Sequence, residues 1–400
     1  MMMRAVVMAS AIAAAGALAV LAAGDTATAQ VPGSPVCGDR LCSEAPRAQA
    51  ASDVNGCRSY EGTTRTYYIA ADEVMWDYAP AGINMITGGE FGDDEAVFVD
   101  TAENHVGSTY KKAVYRAYTD ATFTEPEPRA AEWEHLGIMG PVIHAAVCDT
   151  IVVEFRNNAG RDYSMHPHGV FYVKSSEGAR YNDGTDGAGG AIGPGGSHTY
   201  VWSVPPRAGP GPADPSSIAW MYHSHVDSPA DTNTGLAGPM IISARGAAGA
   251  DGRAADVDRE VVSLFTVHDE NVSHYLCDNV EEIMGTGCTD DLLGDPDFEE
   301  GNLMHGINGY VYGNQPVPEL VAGERVRWYL IGLGTEVDLH TPHWHGQTVL
   351  WDGHRTDVVE LMPASMKTVD MVPDNPGTWL FHCHVNDHIS AGMQSLFTVS

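Results

Sequence analysis

"FHCHVNDHISAGM", residues 381–393, packs three histidines, a cysteine and a methionine into thirteen positions near the C-terminus. The run leading into it, "TWLFHCHV" from Thr378, is aromatic and β-branched and reads as a β-strand. On a strand, residues two apart face one side and the residue between them faces the other. His382 and His384 therefore aim at one place, while Cys383 points toward the interior of its own domain. There it can join His388, Met393 and the upstream His340, giving one Cys, two His and a weak axial Met, which is the blue-copper ligand set.

Three further "HxH" motifs work outward from this one: "MHPHG" (165–169), "YHSH" (222–225) and "HTPHWHG" (340–346). Of the 18 histidines, these motifs and the C-terminal stretch hold His166, His168, His223, His225, His340, His343, His345, His382, His384 and His388. Four pairs supply eight imidazole ligands, a type that suits copper, zinc and other late first-row metals alike. The thiol inside the last pair selects copper. It also creates an electron path, since Cys383 binds one metal through sulfur while its covalent neighbours bind metals on the opposite face. In the first half the central residue is Ser224, which cannot serve as a thiolate, so one electron-entry site per chain is expected.

Short β-prone runs such as "YYIAADEVMW", "TIVVEFRN", "HTYVWSVP" and "GPMIISA" are separated by Gly, Pro, Asn and Asp clusters, and a second series follows from "EVVSLFTVHDE" onward. This pattern predicts an all-β chain of antiparallel sandwiches. An early and a late "HxH" in each half form a weak internal repeat. The predicted organisation is a signal peptide over 1–29, a flexible leader over 30–57, a first domain over 58–245, a linker over 246–259 and a second domain over 260–400. The signal reading rests on Arg4, an Ala/Val/Leu run from Ala5 to Ala23 and a small-residue cleavage site at Ala27–Ala29. An uncleaved membrane anchor is its rival; with cleavage, a secreted or extracytoplasmic protein without stable membrane insertion is expected.

A formal charge of -32, with 53 acidic against 21 basic residues, argues against a nucleic-acid partner. Seven cysteines cannot all pair in an oxidising compartment. With Cys383 set aside for metal, Cys277 with Cys288 is the preferred local bridge, and Cys57 with Cys148 or Cys37 with Cys42 are further pairings.

These residues resemble the multicopper oxidases, and the chain is most similar to the ceruloplasmin branch. "YYIAADEVMWDYAP", "HLGIMGPVI", "TGLAGPM", "MHGINGYVYGNQP" and "VNDHISAGM" extend the likeness over roughly residues 66–400. The resemblance implies two cupredoxin-like Greek-key β-sandwich domains and four coppers per subunit. The second domain would carry a type 1 copper on His340, Cys383, His388 and Met393. His166 and His343 would hold the type 2 copper, and His168, His223, His225, His345, His382 and His384 the type 3 pair. In two-domain relatives the ligands of the two domains meet between neighbouring subunits of a homotrimer. Four one-electron oxidations at the type 1 site would then supply reduction of O2 to two waters. Asp149, Asp227 and Asp231 are candidates for relaying protons.

Fe(II), Cu(I) and phenols are the candidate electron donors. "DFEEGNLMHGING" and "HVNDHI" resemble the stretches carrying ceruloplasmin's iron site, which carries over Glu300, His305 and Asp387; Asp387 directly precedes the copper ligand His388. The fourth, acidic position falls on Pro296, so Asp295 or Asp297, from this or an adjacent subunit, would have to substitute. The alternative is a laccase-type phenol oxidase in which Glu300 and His305 only bond within a loop. A copper nitrite reductase shares the fold and trimer but needs only a mononuclear catalytic copper, which eight paired histidines exceed; a copper store needs no thiolate between cluster ligands. His105, His135, His144, His198, His268, His274 and His354 have no partner at ligand spacing and read as ordinary. The acidic "YNDGTDG" from Tyr181 reads as a solvated loop or, less well, a calcium site.

Overall fold

The structure, a computed structural model, describes Cys57 and residues 62–400. The signal peptide, the leader apart from Cys57, and the pairing of Cys37 with Cys42 lie outside the described residues.

In the first half, β1 (Thr64–Asp77), β2 (Thr109–Ala117), β3 (Ile143–Ala146), β4 (Thr150–Asn157), β5 (His166–Pro167), β6 (Ser197–Ser203), β7 (Ser217–His223) and β8 (Ala237–Ser243) build two sheets, ordered β2-β1-β4-β6 and β3-β8-β7-β5. In the second, β9 (Arg259–Asp269), β10 (Leu303–Ile307), β11 (Glu319–Leu320), β12 (Val326–Gly332), β13 (Pro342–Trp344), β14 (Val349–Trp351), β15 (His354–Thr356), β16 (Met366–Met371), β17 (Gly377–Cys383) and β18 (Gln394–Val399) are ordered β10-β9-β12-β16-β14-β15 and β11-β18-β17-β13. The halves repeat one pairing scheme. The parallel pair β1/β4 matches β9/β12, the parallel pair β3/β8 matches β11/β18, and the antiparallel pair β7/β8 matches β17/β18. This is the expected sandwich, present twice, with the β14–β15 hairpin added to one edge of the second.

Local sequence explains the layering. β4 alternates half-buried and buried positions, so one face packs on the core, whereas β8 and β12 are buried throughout because both faces are covered. Trp202, Tyr200, Tyr163 and Phe155 centre the first core; Trp328, Trp344, Phe381, Cys383 and Met393 centre the second. A third apolar layer joins the halves, with Met221 and Ile241 packed in one cluster with Val262, Leu264 and Ile331.

Two polar contacts reinforce that junction. Lys112 of β2 and Glu270 just beyond β9 form a fully buried ion pair, completed by Tyr78 Oη donating to Glu270 (2.6 Å) and Lys112 Nζ donating to Asn233 O (2.8 Å). Removing one partner of such a pair costs about 3–5 kcal/mol. Between β8 and β9, Arg253 is paired with Glu132 and Glu260, both at 2.9 Å. The bridges Cys57–Cys148 and Cys277–Cys288 are both present, and Cys383 is free and buried.

Candidate metal centre

The strand pairing sets the site. β13 and β17 place His343 opposite His382, and β5 and β7 place His166 opposite His223 in the same register. Among the described residues, three groups have donor atoms within 4.8 Å of one another: His166, His168 and His223; His343, His345 and His382; and His340, Cys383 and His388. Each group is drawn from one half of the chain.

The third group differs from the other two in containing a thiol. Alternation along β17 buries Cys383 completely in the second core, together with Met393. Its Sγ lies 3.6 Å from His388 Nδ1 and 3.9 Å from His340 Nδ1, and the two nitrogens are 3.2 Å apart. These separations suit the edges of a tetrahedron around one ion with metal–nitrogen bonds of about 2.0 Å and metal–sulfur bonds of about 2.3 Å. Met393 is tied to both of these residues, its carbonyl accepting from Cys383 N (3.1 Å) and its own N donating to His388 O (2.9 Å). Burial opposes ionisation of Cys383, but His340, His388 and the N–H groups of Thr341 and Val385 outweigh it and pull the thiol down to about 6. A thiolate at neutral pH is the form that binds metal.

In the other two groups three imidazoles are held neutral. Burial, the largest cause, pushes His168 and His382 down to about 4 and His223 to about 3. Nδ1 of His166, His223 and His382 each meets a backbone carbonyl, of Glu177 (2.6 Å), Ser224 (2.8 Å) and Cys383 (2.7 Å) respectively. Donation there fixes the tautomer and leaves Nε2 free for metal. Facing Nε2 atoms are 3.2 Å apart in His168/His223 and 3.1 Å in His345/His382. His225 and His384 stand at the exposed rims, their ring centres 5.1 Å from His166 and 5.3 Å from His343. The glycine ending "HWHG" has a structural cause: Gly346 sits at φ +66 and a Cβ there would stand 2.5 Å from the Trp379 ring.

The first half fills the Cys383 position differently. Ser224 is buried, donates to Asp231 Oδ2 (2.7 Å) and accepts from Ser164 N (3.1 Å). Asp231, also fully buried, accepts from Val226 N (3.0 Å) and Asp227 N (3.1 Å) and lies 2.9 Å from His274 Nε2. A hydrogen-bond knot occupies the place of a metal set. His274, read as an ordinary histidine, is one of its members.

Of the carboxylates considered for proton relay, Asp149 lies at the wrong end of the sandwich. It accepts from Arg65 Nε (2.6 Å) and Ala146 N (2.9 Å), and Ala146 pairs with Ser243, which pairs with Ser217 at the far end of β7 from His223. That is about 20 Å of strand. Asp231 is enclosed in the knot, and Asp227 is exposed at the start of the helix Ser228–Thr234. A carboxylate the sequence reading missed, Asp357, lies 3.6 Å from His343 Nε2, in an open cleft of about 540 Å³ with Asp374 and His345. The β14–β15 hairpin folds the chain back to pair Val358 with His343, a contact no linear spacing reveals.

Glu300 and Asp387 are exposed on the short helices Pro296–Gly301 and Asn386–Ser390. His305 is buried in β10, its ring 5.4 Å from His388 and 5.8 Å from Phe98. Its Nδ1 meets Leu303 O at 2.8 Å, and burial followed by His388 pushes it down to about 4, so Nε2 is an available donor. Glu300, His305 and Asp387 are not among the groups that converge within 4.8 Å. Asp295 caps its own helix by accepting from Asp297 N at 2.9 Å. In the acidic loop, Lys174 pairs with both Glu177 (2.6 Å) and Asp183 (2.8 Å), so Asp183 already has a cationic partner.

Buried thiolate and convergent imidazoles on twin cupredoxin sandwiches are the makings of a copper protein, and comparison with known proteins agrees. Residues 134–247 and 291–400 match the multicopper oxidase family, and the chain belongs to it. Membership implies copper as the metal. The chain is similar to the human "Ferroxidase HEPHL1", 45% identical over 345 residues that make up 84% of this chain and 29% of that protein. It is similar also to human ceruloplasmin, 43% identical over 347 residues, 84% of this chain and 32% of that one. The chain therefore spans less than a third of the length of these relatives. A crystal structure of a multicopper oxidase shares the fold, with a TM-score of 0.54 at 20% identity over 84% of this chain and 89% of that one.

Proposed function

We propose that this chain is a secreted multicopper oxidase that passes four electrons, taken singly from a reductant, to O2, and that ferrous iron is its preferred reductant. Copper bound by these residues would supply one-electron transfer and the binding and reduction of O2. The carrying observation is Cys383: a buried thiol, pulled down to about 6, faces His340 and His388 while its covalent neighbours His382 and His384 belong to the opposite face.

In this reading His340, Cys383, His388 and Met393 hold the type 1 copper and provide the electron entry. His166 and His343 hold the type 2 copper, and His168, His223, His225, His345, His382 and His384 the type 3 pair. The backbone carbonyls of Glu177, Ser224 and Cys383 orient the ligands, and Asp357 is the carboxylate best placed to move a proton near His343. The domains proposed are 58–245 and 260–400, and a homotrimer supplies each cluster with one half from each of two subunits. Exposed apolar side chains beside both half-clusters support that contact: Phe171, Val173 and Val226 follow the first, and Leu339, Val358 and Met362 flank the second.

His305 supports the preference for iron, because its ring, kept neutral by burial, has its centre 5.4 Å from that of His388, with Glu300 and Asp387 on the neighbouring helices. Phenols or Cu(I) are the other donors. Copper content and absorption test the reading: wild-type protein should bind four coppers per chain and be blue. Cys383→Ser should bind three and be colourless, and a blue Cys383→Ser protein would refute it.

A further inference from the structure

Nδ1 of His340 faces Cys383 and His388, but its other nitrogen is a problem. Nε2 is buried without a well-aligned hydrogen-bond partner, and the nearest carboxylate oxygen, Asp338 Oδ1, lies 3.4 Å away. A buried N–H left unpaired costs about 1–3 kcal/mol, and an unfixed imidazole can present either nitrogen to a metal. Asp338 is itself a constructed feature. It is 2% exposed, and its two oxygens accept from Val267 N and Thr335 N, both at 2.7 Å. Gly334, at φ +116, makes room for it, since a Cβ there would stand 2.1 Å from the Asp338 carboxyl carbon.

The first half provides an internal control. Counting back from His343 and His166, which share one register, His340 corresponds to Tyr163 and Asp338 to Arg161. Tyr163 approaches Tyr275 Oη at 3.4 Å, and Arg161 donates to His274 O at 2.9 Å. The carboxylate is therefore present only in the half that has the thiol.

We propose that Asp338 is a positioning residue of the mononuclear pocket: it receives the Nε2 proton of His340, so that only Nδ1 is presented beside Cys383 and His388. An anion bonded to a ligand imidazole also makes that ligand more basic and favours the more highly charged state of the metal. The role rests on the copper reading of this pocket, and two measurements separate the two.

The first needs no metal. In copper-free protein labelled with 15N-histidine, long-range proton–nitrogen correlation should find His340 protonated at Nε2; the Nδ1-protonated tautomer would overturn the proposal. The second uses the loaded protein. Asp338→Asn, nearly isosteric, should stay blue while the reduction potential of that copper rises, and an unchanged potential in a folded, blue variant would also overturn it. Loss of the blue band in Cys383→Ser is required by the copper reading alone, so its persistence would sink that reading without bearing on the tautomer.

Discussion

His343 and His382 stand opposite each other across the β13–β17 pair, with Nδ1 of the first 3.2 Å from Nε2 of the second. His166 and His223 repeat the relationship in β5–β7, yet no group of convergent donors among the described residues combines the two halves. In the proposed reading, a cluster that needs both sets draws on two copies of the chain.

Complementation tests that directly. His168→Ala disables only the first-half set and His345→Ala only the second, so each variant alone should consume no oxygen. Co-refolded in equal amounts as a closed ring of three, they should regain roughly a quarter of the sites, because every mixed ring contains one interface with two intact halves. No recovery in verified mixed rings would place the cluster within one chain.

The Ser224–Asp231 knot should be structural. Asp231→Ala strands the donors of Ser224, Val226 and Asp227 in a buried site and should cost about 3–5 kcal/mol, measured by urea unfolding of the copper-free protein. The blue absorption of the second half should be unaffected in the folded variant. Ser224→Cys should add no copper, because Tyr163 stands where the second half has His340.

His135 gives the copper-free protein a defined acid sensitivity. Burial, its largest influence, pushes it from the ordinary 6.5 down to about 4, and its ring is held by Glu132 O (2.9 Å) and by Val262 N donating to Nε2 (3.1 Å). Below about 6.5 the unfolded chain takes up a proton that the folded chain refuses until about 4. This stabilisation is therefore complete above that window and lost as pH falls through it, by about 3 kcal/mol in all. His135→Gln should show a correspondingly shallower loss between pH 6.5 and 4; identical pH dependence would refute the assignment.

Much of this was legible in the sequence because strand alternation is a local rule. "HCH" on an aromatic-led run requires Cys383 and its neighbours to face opposite ways, and the repeated motifs anticipated the repeated sheets. What stayed hidden depends on chain return. Asp357 reaches His343 through the β14–β15 hairpin, Asp338 gains meaning only beside Val267 of β9, and Asp149, a candidate proton relay by sequence, is put by strand register at the far end of the sheet. Cys57 with Cys148, 91 residues apart, could only be guessed until folding brought them together.

The iron reading makes a selective prediction. Glu300→Ala and Asp387→Ala should each lower ferrous oxidation by about 10-fold or more, the scale of a lost metal-site contact, while phenol oxidation is retained. Equal losses for both donors would mean that these carboxylates serve the fold or His388 rather than iron.

Coupling of a thiolate-held electron entry to oxygen reduction can be read at an oxygen electrode. Copper-loaded protein supplied in turn with ferrous iron, cuprous copper and a phenol should consume one O2 for every four electrons delivered, without releasing peroxide, and fastest with ferrous iron. Reduction of nitrite without oxygen uptake, or copper binding with no oxygen consumed from any donor, would contradict it.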